Sequence, residues 1–274
     1  MLATASAIAV AALAPVTVTA TSGPVTAAMT ATGAASEATI TSATGLRVKI
    51  ARSGAIAFNG PLRPCRFGCE PDDPTGARFA ALSVADLDGD GEPEVLVDRS
   101  DGFTPCCTLE TAILRRDPAT GAYTELDRHW GETYRVADVD GDGRPEFVTA
   151  DQRFYERFAP RVVGFQLPVK ILQLRGGALV DVTRAHPAQI RRHARSLARL
   201  LHATELIADG RRAGDRAQAH AGLRPQLAAY AAEERLLGRR AVGDKRLAAE
   251  VAKGRVSPGF RRALLRFLAR LGYV

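Results

Sequence analysis

The sequence predicts an α+β protein, an N-terminal antiparallel β domain followed by a small α-helical region. Three observations carry that expectation. Residues 46 to 182 alternate apolar and polar positions and are interrupted by turn residues, as short strands are. Beyond Pro187 the apolar residues recur at intervals of three and four, the period of a helix with one buried face. Charge changes at the same place. Residues 184 to 274 carry 20 Lys and Arg against 7 Asp and Glu, a balance of +13, and the residues before them carry −6.

The first 46 residues contain no Lys or Arg, one acidic residue (Glu37), and an excess of Ala and Thr. Residues 5 to 20 form an apolar core ending in small residues, so residues 1–28 read as a secretory signal peptide cleaved after Ala20 or Ala28. The apolar run is shorter than the ~20 residues that span a bilayer, and a transmembrane anchor is not expected. Residues 29–44 continue rich in Ala and Thr and are expected to be disordered. Residues 45–183 make the β domain, with strand patterns at Leu46–Ile50, Thr108–Leu114, Tyr123–Trp130, Lys170–Leu174 and Ala178–Val182. Asp117–Gly121 and Gly176-Gly177 supply turns between them. Residues 184–274 form a basic helical region with helices near 187–204, 223–237, 243–253 and 257–271. The last opens with Ser257 as cap and Pro258 at its first position, and Gly272 closes it. The helices are expected to form a small bundle or to cover one face of the sheet.

One acidic loop occurs twice. Asp86-Leu87-Asp88-Gly89-Asp90-Gly91-Glu92-Pro93-Glu94 and Asp138-Val139-Asp140-Gly141-Asp142-Gly143-Arg144-Pro145-Glu146 place carboxylates at positions 1, 3, 5 and 9 and glycine at 4 and 6. Carboxylates this close repel one another unless a hard cation lies between them, and Ca2+ accepts six to eight oxygens in flexible geometry. An EF-hand opens the same way but needs a bidentate Glu at position 12, where this chain has Val97 and Thr149. Strand patterns flank both copies, Ala81–Ala85 and Val95–Val97 around the first, Thr133–Ala137 and Phe147–Thr149 around the second. Each loop therefore joins two strands. An Asp/Gly-rich turn that binds nothing is the plainer alternative, and the matched second copy weighs against it.

Strand, then Val-Ala-Asp-x-Asp-Gly-Asp-Gly-x-Pro-Glu, then strand resembles the FG-GAP or VCBS repeat of integrin α-chain propellers and secreted bacterial proteins. The resemblance covers roughly residues 78 to 151. It implies a Ca2+ cofactor held by Asp86, Asp88, Asp90, the Glu92 carbonyl and Glu94, and by Asp138, Asp140, Asp142, the Arg144 carbonyl and Glu146. Position 9 is Glu in both copies, where Asp is common in the family. The copies start 52 residues apart, a propeller-blade period. A ring closes with four to eight blades, so two or three propeller-like units with covered edges are expected instead.

The four cysteines, Cys65, Cys69, Cys106 and Cys107, all fall in the β domain. An even count in an exported chain suggests two disulfides, joining Cys65 and Cys69 to the 106/107 pair in either order. A zinc site is the rival reading, and the adjacent cysteines give it poor spacing. No catalytic residue is assigned: the chain has no Gly-x-Ser-x-Gly elbow, no His-Glu-x-x-His and no phosphate-binding glycine loop. His186, His193, His202 and His220 read as surface histidines among arginines, and Trp130 as a core anchor. The +13 region lacks helix-turn-helix spacing and is poor in aromatic residues for stacking, which argues against nucleic acid.

These readings converge on an exported protein, secreted or held in the cell envelope or periplasm. Two structural Ca2+ ions would serve a binding or envelope-interaction role toward an extracellular protein or polysaccharide. The alternative is a secreted hydrolase-type enzyme with its site between the β and helical regions.

Overall fold

The computed structural model describes residues 14–65, 69–70, 73–101, 108–131, 133–160, 166–209 and 213–274. Among the described residues, antiparallel strands and four helices make it an α+β protein. The chain divides after Glu132 into two compact units.

The described residues of the first unit form a nine-stranded antiparallel sheet: β1 (Pro15–Ser22), β2 (Val25–Ser36), β3 (Thr39–Arg52), β4 (Ala55–Pro61), β5 (Cys69–Glu70), β6 (Asp73–Ala85), β7 (Glu94–Ser100), β8 (Leu109–Arg116) and β9 (Tyr123–Gly131). Neighbours run β1-β2-β3-β6-β7-β8-β9, with β4 paired to β3 and β5 to β6. Residues of alternate parity face the core. Val25, Ala27, Met29 and Ala31 of β2 are buried beside Val48 and Ile50 of β3, Val95 and Val97 of β7, and Leu114 of β8.

This arrangement corrects the reading of the N-terminal segment. Residues 29–44, expected to be disordered, are strands β2 and β3. Residues 15–28, expected to belong to a cleaved leader, are β1 and the start of β2, with Val18, Val25 and Ala27 in the core. Cleavage after Ala20 or Ala28 would cut a paired strand. Scarcity of charge does not mean weakness of structure here, because threonine is β-branched and suits a pleated surface. Here it also bonds across the strands: the Thr17 and Thr30 hydroxyls lie 2.8 Å apart, and Thr21 donates to Thr26 at 3.1 Å. Of the leader expected over residues 1–28, residues 1–13 lie outside the described residues. Cys65 is disulfide-bonded. The pairing expected with Cys106 and Cys107 also lies outside the described residues.

Arg99 of β7 is wholly buried in this unit. Its Nη1 donates to the Arg63 carbonyl at 2.8 Å, and its Nη2 lies 3.5 Å from Glu110 and 3.6 Å from Asp127. Glu125 belongs to the same group, both its oxygens accepting the Arg63 N–H at 3.1 Å. Burial, with Asp127 alongside, pushes the Glu125 carboxyl up to about 7 against that hydrogen bond and the Arg99 charge. A carboxyl that holds its proton more tightly folded than unfolded stabilises the fold while protonated, and that contribution is lost as pH rises. The first unit is therefore expected to lose stability from the ordinary carboxylate range up to about pH 7 through this group. Denaturant unfolding at stepped pH checks it, and Glu125→Gln should flatten the slope.

The second unit holds β10 (Arg135–Ala137), β11 (Glu146–Ala150), β12 (Val169–Arg175) and β13 (Ala178–Asp181), then α1 (Pro187–Ala208), α2 (Ala213–Leu236), α3 (Arg240–Ala252) and α4 (Pro258–Arg270). The strands form a separate antiparallel sheet in the order β10-β11-β12-β13. The division thus falls within the expected 45–183 β domain, and the second acidic loop belongs with the helices. The reason is packing. Val169, Ile171 and Val182 are buried against Ile190 of α1, so the small sheet takes its apolar cover from the helical region. A second core joins Leu201, Leu227, Ala231, Leu264 and Leu268 to Phe154, whose ring meets Phe267 edge-on at 5.0 Å.

Each of the four expected helices is present, and α4 begins as its sequence dictates. Ser257 accepts the Phe260 N–H at 3.1 Å with Pro258 at the first turn, and Gly272 follows in the left-handed region at φ 79°. Helix α2 starts ten residues earlier than Leu223, running through Pro225. No helix of the described residues is long and apolar enough to cross a membrane.

Candidate metal centres

Both acidic loops are hairpin connections of the same register. In the first, β6 pairs β7 and Ala85 faces Glu94. In the second, β10 pairs β11 and Ala137 faces Glu146. Eight residues span each gap, and their backbone turns sharply twice: Gly89 and Gly91 have φ of 74° and 83°, Gly141 and Gly143 of 83° and 82°. A side chain in that region costs about 1–2 kcal/mol, which is why glycine stands at positions 4 and 6.

The internal bonding repeats almost bond for bond. Asp86 accepts the N–H groups of Gly89 and Gly91 at 2.8 and 2.9 Å, and Asp138 those of Gly141 and Gly143 at 2.7 and 3.0 Å. Asp90 and Asp142 each accept at 2.8 Å from the residue two further on. Glu94 accepts the Leu87 N–H at 2.9 Å, and Glu146 the Val139 N–H at 3.0 Å. The position-9 glutamate is thus buried in both loops and turned back under the turn.

Carboxylate oxygens of Asp86, Asp88 and Asp90 lie within 4.8 Å of one another, as do those of Asp138, Asp140 and Asp142. Such an all-oxygen set suits a hard cation. Without one the charges strain each other. Burial, then Asp88, Asp90 and Asp86, push the Glu94 carboxyl up to about 8 despite the Leu87 hydrogen bond. Burial and Asp90 likewise raise Asp88. Asp138 moves the other way, held down chiefly by the Gly143 and Gly141 N–H groups. The Glu92 side chain points to Arg52, with Nε 2.6 Å from Oε1, so position 7 of the first loop has only its carbonyl to offer. In the second loop the Arg144 carbonyl accepts from Gln173 Nε2 at 3.4 Å.

The histidines need correction. His186 is buried at 6% exposure, and its Nδ1 stands 3.7 Å from Asp140 Oδ2 at the second loop. His193 is part-buried, with Nδ1 2.6 Å from the buried Glu233, which also accepts the Val169 N–H at 2.7 Å. His202 is exposed and His220 half-buried. Sequence spacing gave no sign of His186, which lies forty residues past the loop it faces. Its one local signal is its place directly before the Pro187 that opens α1. Trp130 is a core anchor as read, its Nε1 donating to Thr111 at 2.8 Å within the first unit.

Much of the basic charge of the helical region is used internally. Arg255 bonds Glu250 at 2.8 Å, Arg239 bonds Glu234 at 2.8 Å, and Arg246 pairs with Glu205. A cavity of about 460 Å³ in the second unit is bordered by Arg153, Lys170, Asp181, Arg184 and Tyr273. Those groups are also engaged: Lys170 with Asp181 at 2.9 Å, Arg153 and the Tyr273 hydroxyl with Asp151, and Arg184 with the Gly272 carbonyl at 3.1 Å.

The chain matches no protein-family model and no solved structure. It is similar to the uncharacterized protein y4bJ of Sinorhizobium fredii, with 29% identity over 93 residues, a third of this chain. It spans 14% of that relative's length.

Proposed function

We propose that this chain is an exported calcium-binding protein whose two hairpin loops each hold a structural Ca2+, in the manner of the FG-GAP or VCBS repeat. The observation that carries the reading is the duplicated donor set: the same carboxylates on the same turn, in two separately folded units. Asp86, Asp88, Asp90, the Glu92 carbonyl and Glu94 would hold one ion. Asp138, Asp140, Asp142, the Arg144 carbonyl and Glu146 would hold the other. Each ion supplies the positive charge that lets its carboxylates stay ionised together, and so locks the strand–loop–strand corner. Export is supported by the disulfide at Cys65, a bond that persists in oxidising compartments, where millimolar calcium fills modules binding at ~10⁻⁴ to 10⁻³ M. The role that fits is binding of an extracellular or envelope protein or polysaccharide, with the ions shaping the surface and taking no part in chemistry.

Equilibrium dialysis against labelled Ca2+ is the direct test. Two ions per chain are expected, falling to one in Asp86→Ala or Asp140→Ala and to none in the double variant. Binding of none at 10 mM Ca2+ to the folded protein would overturn the reading.

A further inference from the structure

The two loops share a backbone but not a neighbourhood. The second has His186 beside it, and among the described residues no histidine joins a metal-capable group at the first. His186 is fixed by its backbone: its N–H donates to the Thr183 carbonyl at 3.1 Å, and its carbonyl accepts from Gln189 and Ile190 at the start of α1. The ring takes no part in capping that helix. It is 95% buried, and among the described residues no hydrogen bond reaches it. Asp140 Oδ2 stands 3.7 Å from Nδ1, beyond hydrogen-bond reach. The buried ring thus faces the Asp140 carboxylate across a gap too wide for a direct hydrogen bond.

The spacing suits a shared ion. Donors at 2.0–2.2 Å around a tetrahedral metal stand roughly 3.4 Å apart, close to the 3.7 Å observed between His186 and Asp140. One oxygen of Glu146 completes the group, all three ligand atoms lying within 4.8 Å of one another. Glu146 is held from behind, its Oε1 accepting from Gln173 Nε2 at 2.7 Å and its Oε2 from the Val139 N–H at 3.0 Å. Such outer contacts orient ligating carboxylates in metal sites. Calcium takes oxygen ligands; imidazole with carboxylates suits zinc-like and other first-row transition ions.

The geometry points to a second kind of metal site, in which Asp140, Glu146 and His186 Nδ1 bind a divalent transition ion of the zinc class. It rests on the calcium reading only in using the same loop. Asp140 and Glu146 belong to both donor sets, so the two ions compete there, whereas the first loop remains an oxygen-only site. The second unit would then report transition-metal supply while the first reports calcium.

The test uses the full chain, stripped with EDTA, titrated with Zn2+ and in parallel with Co2+, whose visible absorption reports a four-coordinate site. One Zn2+ per chain is expected, weakened by at least about 100-fold in His186→Gln and unaffected in sign or stoichiometry by Asp86→Ala at the other loop. Because a buried substitution can unfold the unit, ¹⁵N-imidazole spectra of the unaltered protein give a second readout: Zn2+ should shift one of the five histidines. Absence of bound Zn2+ in the folded protein, an unchanged affinity in folded His186→Gln, or unmoved imidazole signals would each overturn the proposal. Calcium dialysis on the same samples separates the two readings. Two Ca2+ without Zn2+ leaves the function and removes this site; His186-dependent Zn2+ without Ca2+ does the reverse.

Discussion

Removal of calcium is expected to lower the melting temperature of both units, each by roughly 10 °C. A ligand at a hundred times its dissociation constant stabilises the state that binds it by about 2.7 kcal/mol. With an affinity near 10⁻⁴ M, 10 mM Ca2+ meets that condition. For a unit of this size, 1 kcal/mol corresponds to roughly 4 °C. Because the loops lie in separate compact units, Asp86→Ala should abolish the calcium response of one transition and Asp140→Ala that of the other. The two variants should also differ without calcium. Asp86 holds two backbone N–H groups of its turn, and Asp140 holds one, weakly, at 3.3 Å. Asp86→Ala should therefore destabilise its unit even in EGTA, by about 1–3 kcal/mol, and Asp140→Ala by much less. Differential scanning calorimetry in Ca2+, Mg2+ and EGTA checks each statement, and two transitions indifferent to calcium would sink them together.

Replacement of Arg99 by alanine is expected to be the most damaging single change in the first unit, costing about 3–5 kcal/mol. The side chain has no solvent exposure and lies among Glu110, Glu125 and Asp127. Its loss leaves acidic groups in a core without the cation that offsets them and frees the Arg63 carbonyl it bonds. Arg99→Lys restores charge but not the planar fork that reaches the carbonyl and the carboxylates at once, so it should recover only part of the loss. Urea unfolding of the three proteins at pH 7 decides it. A cost below 1 kcal/mol for Arg99→Ala would mean the acids are neutralised in some other way.

What was legible in the sequence was what depends on nearest neighbours along the chain. The strand–loop–strand form of both acidic segments, the four helices and the Ser257 cap are local matters of period, turn chemistry and side-chain reach. The failures share a different cause. The Ala/Thr-rich start looks featureless because its strands draw stability from one another, through cross-strand hydroxyls and a core supplied by β3, β7 and β8. The division after Glu132 was hidden because alternation continues across it; the packing of Ile190 with Ile171 and the Val169 N–H bond to Glu233 show that the small sheet belongs with the helices. His186 was invisible for the same reason. Its meaning lies in Asp140, and nothing in the spacing between them announces the contact.

The second hairpin starts with β10, three residues long and at the edge of its sheet, whereas the first is flanked on both sides, by β3 and β8. A three-residue edge strand has few backbone bonds with which to resist opening. The turn that follows it then decides how long it stays attached, because closing the turn is what returns Ala137 to Glu146. Segments of this kind open locally at far lower cost than the fold as a whole. In the first hairpin an ion, where the proposed site holds one, would tighten a corner the sheet already holds. In the second, under the proposed metal binding, the lifetime of the outermost strand would become a measure of how long the loop keeps an ion.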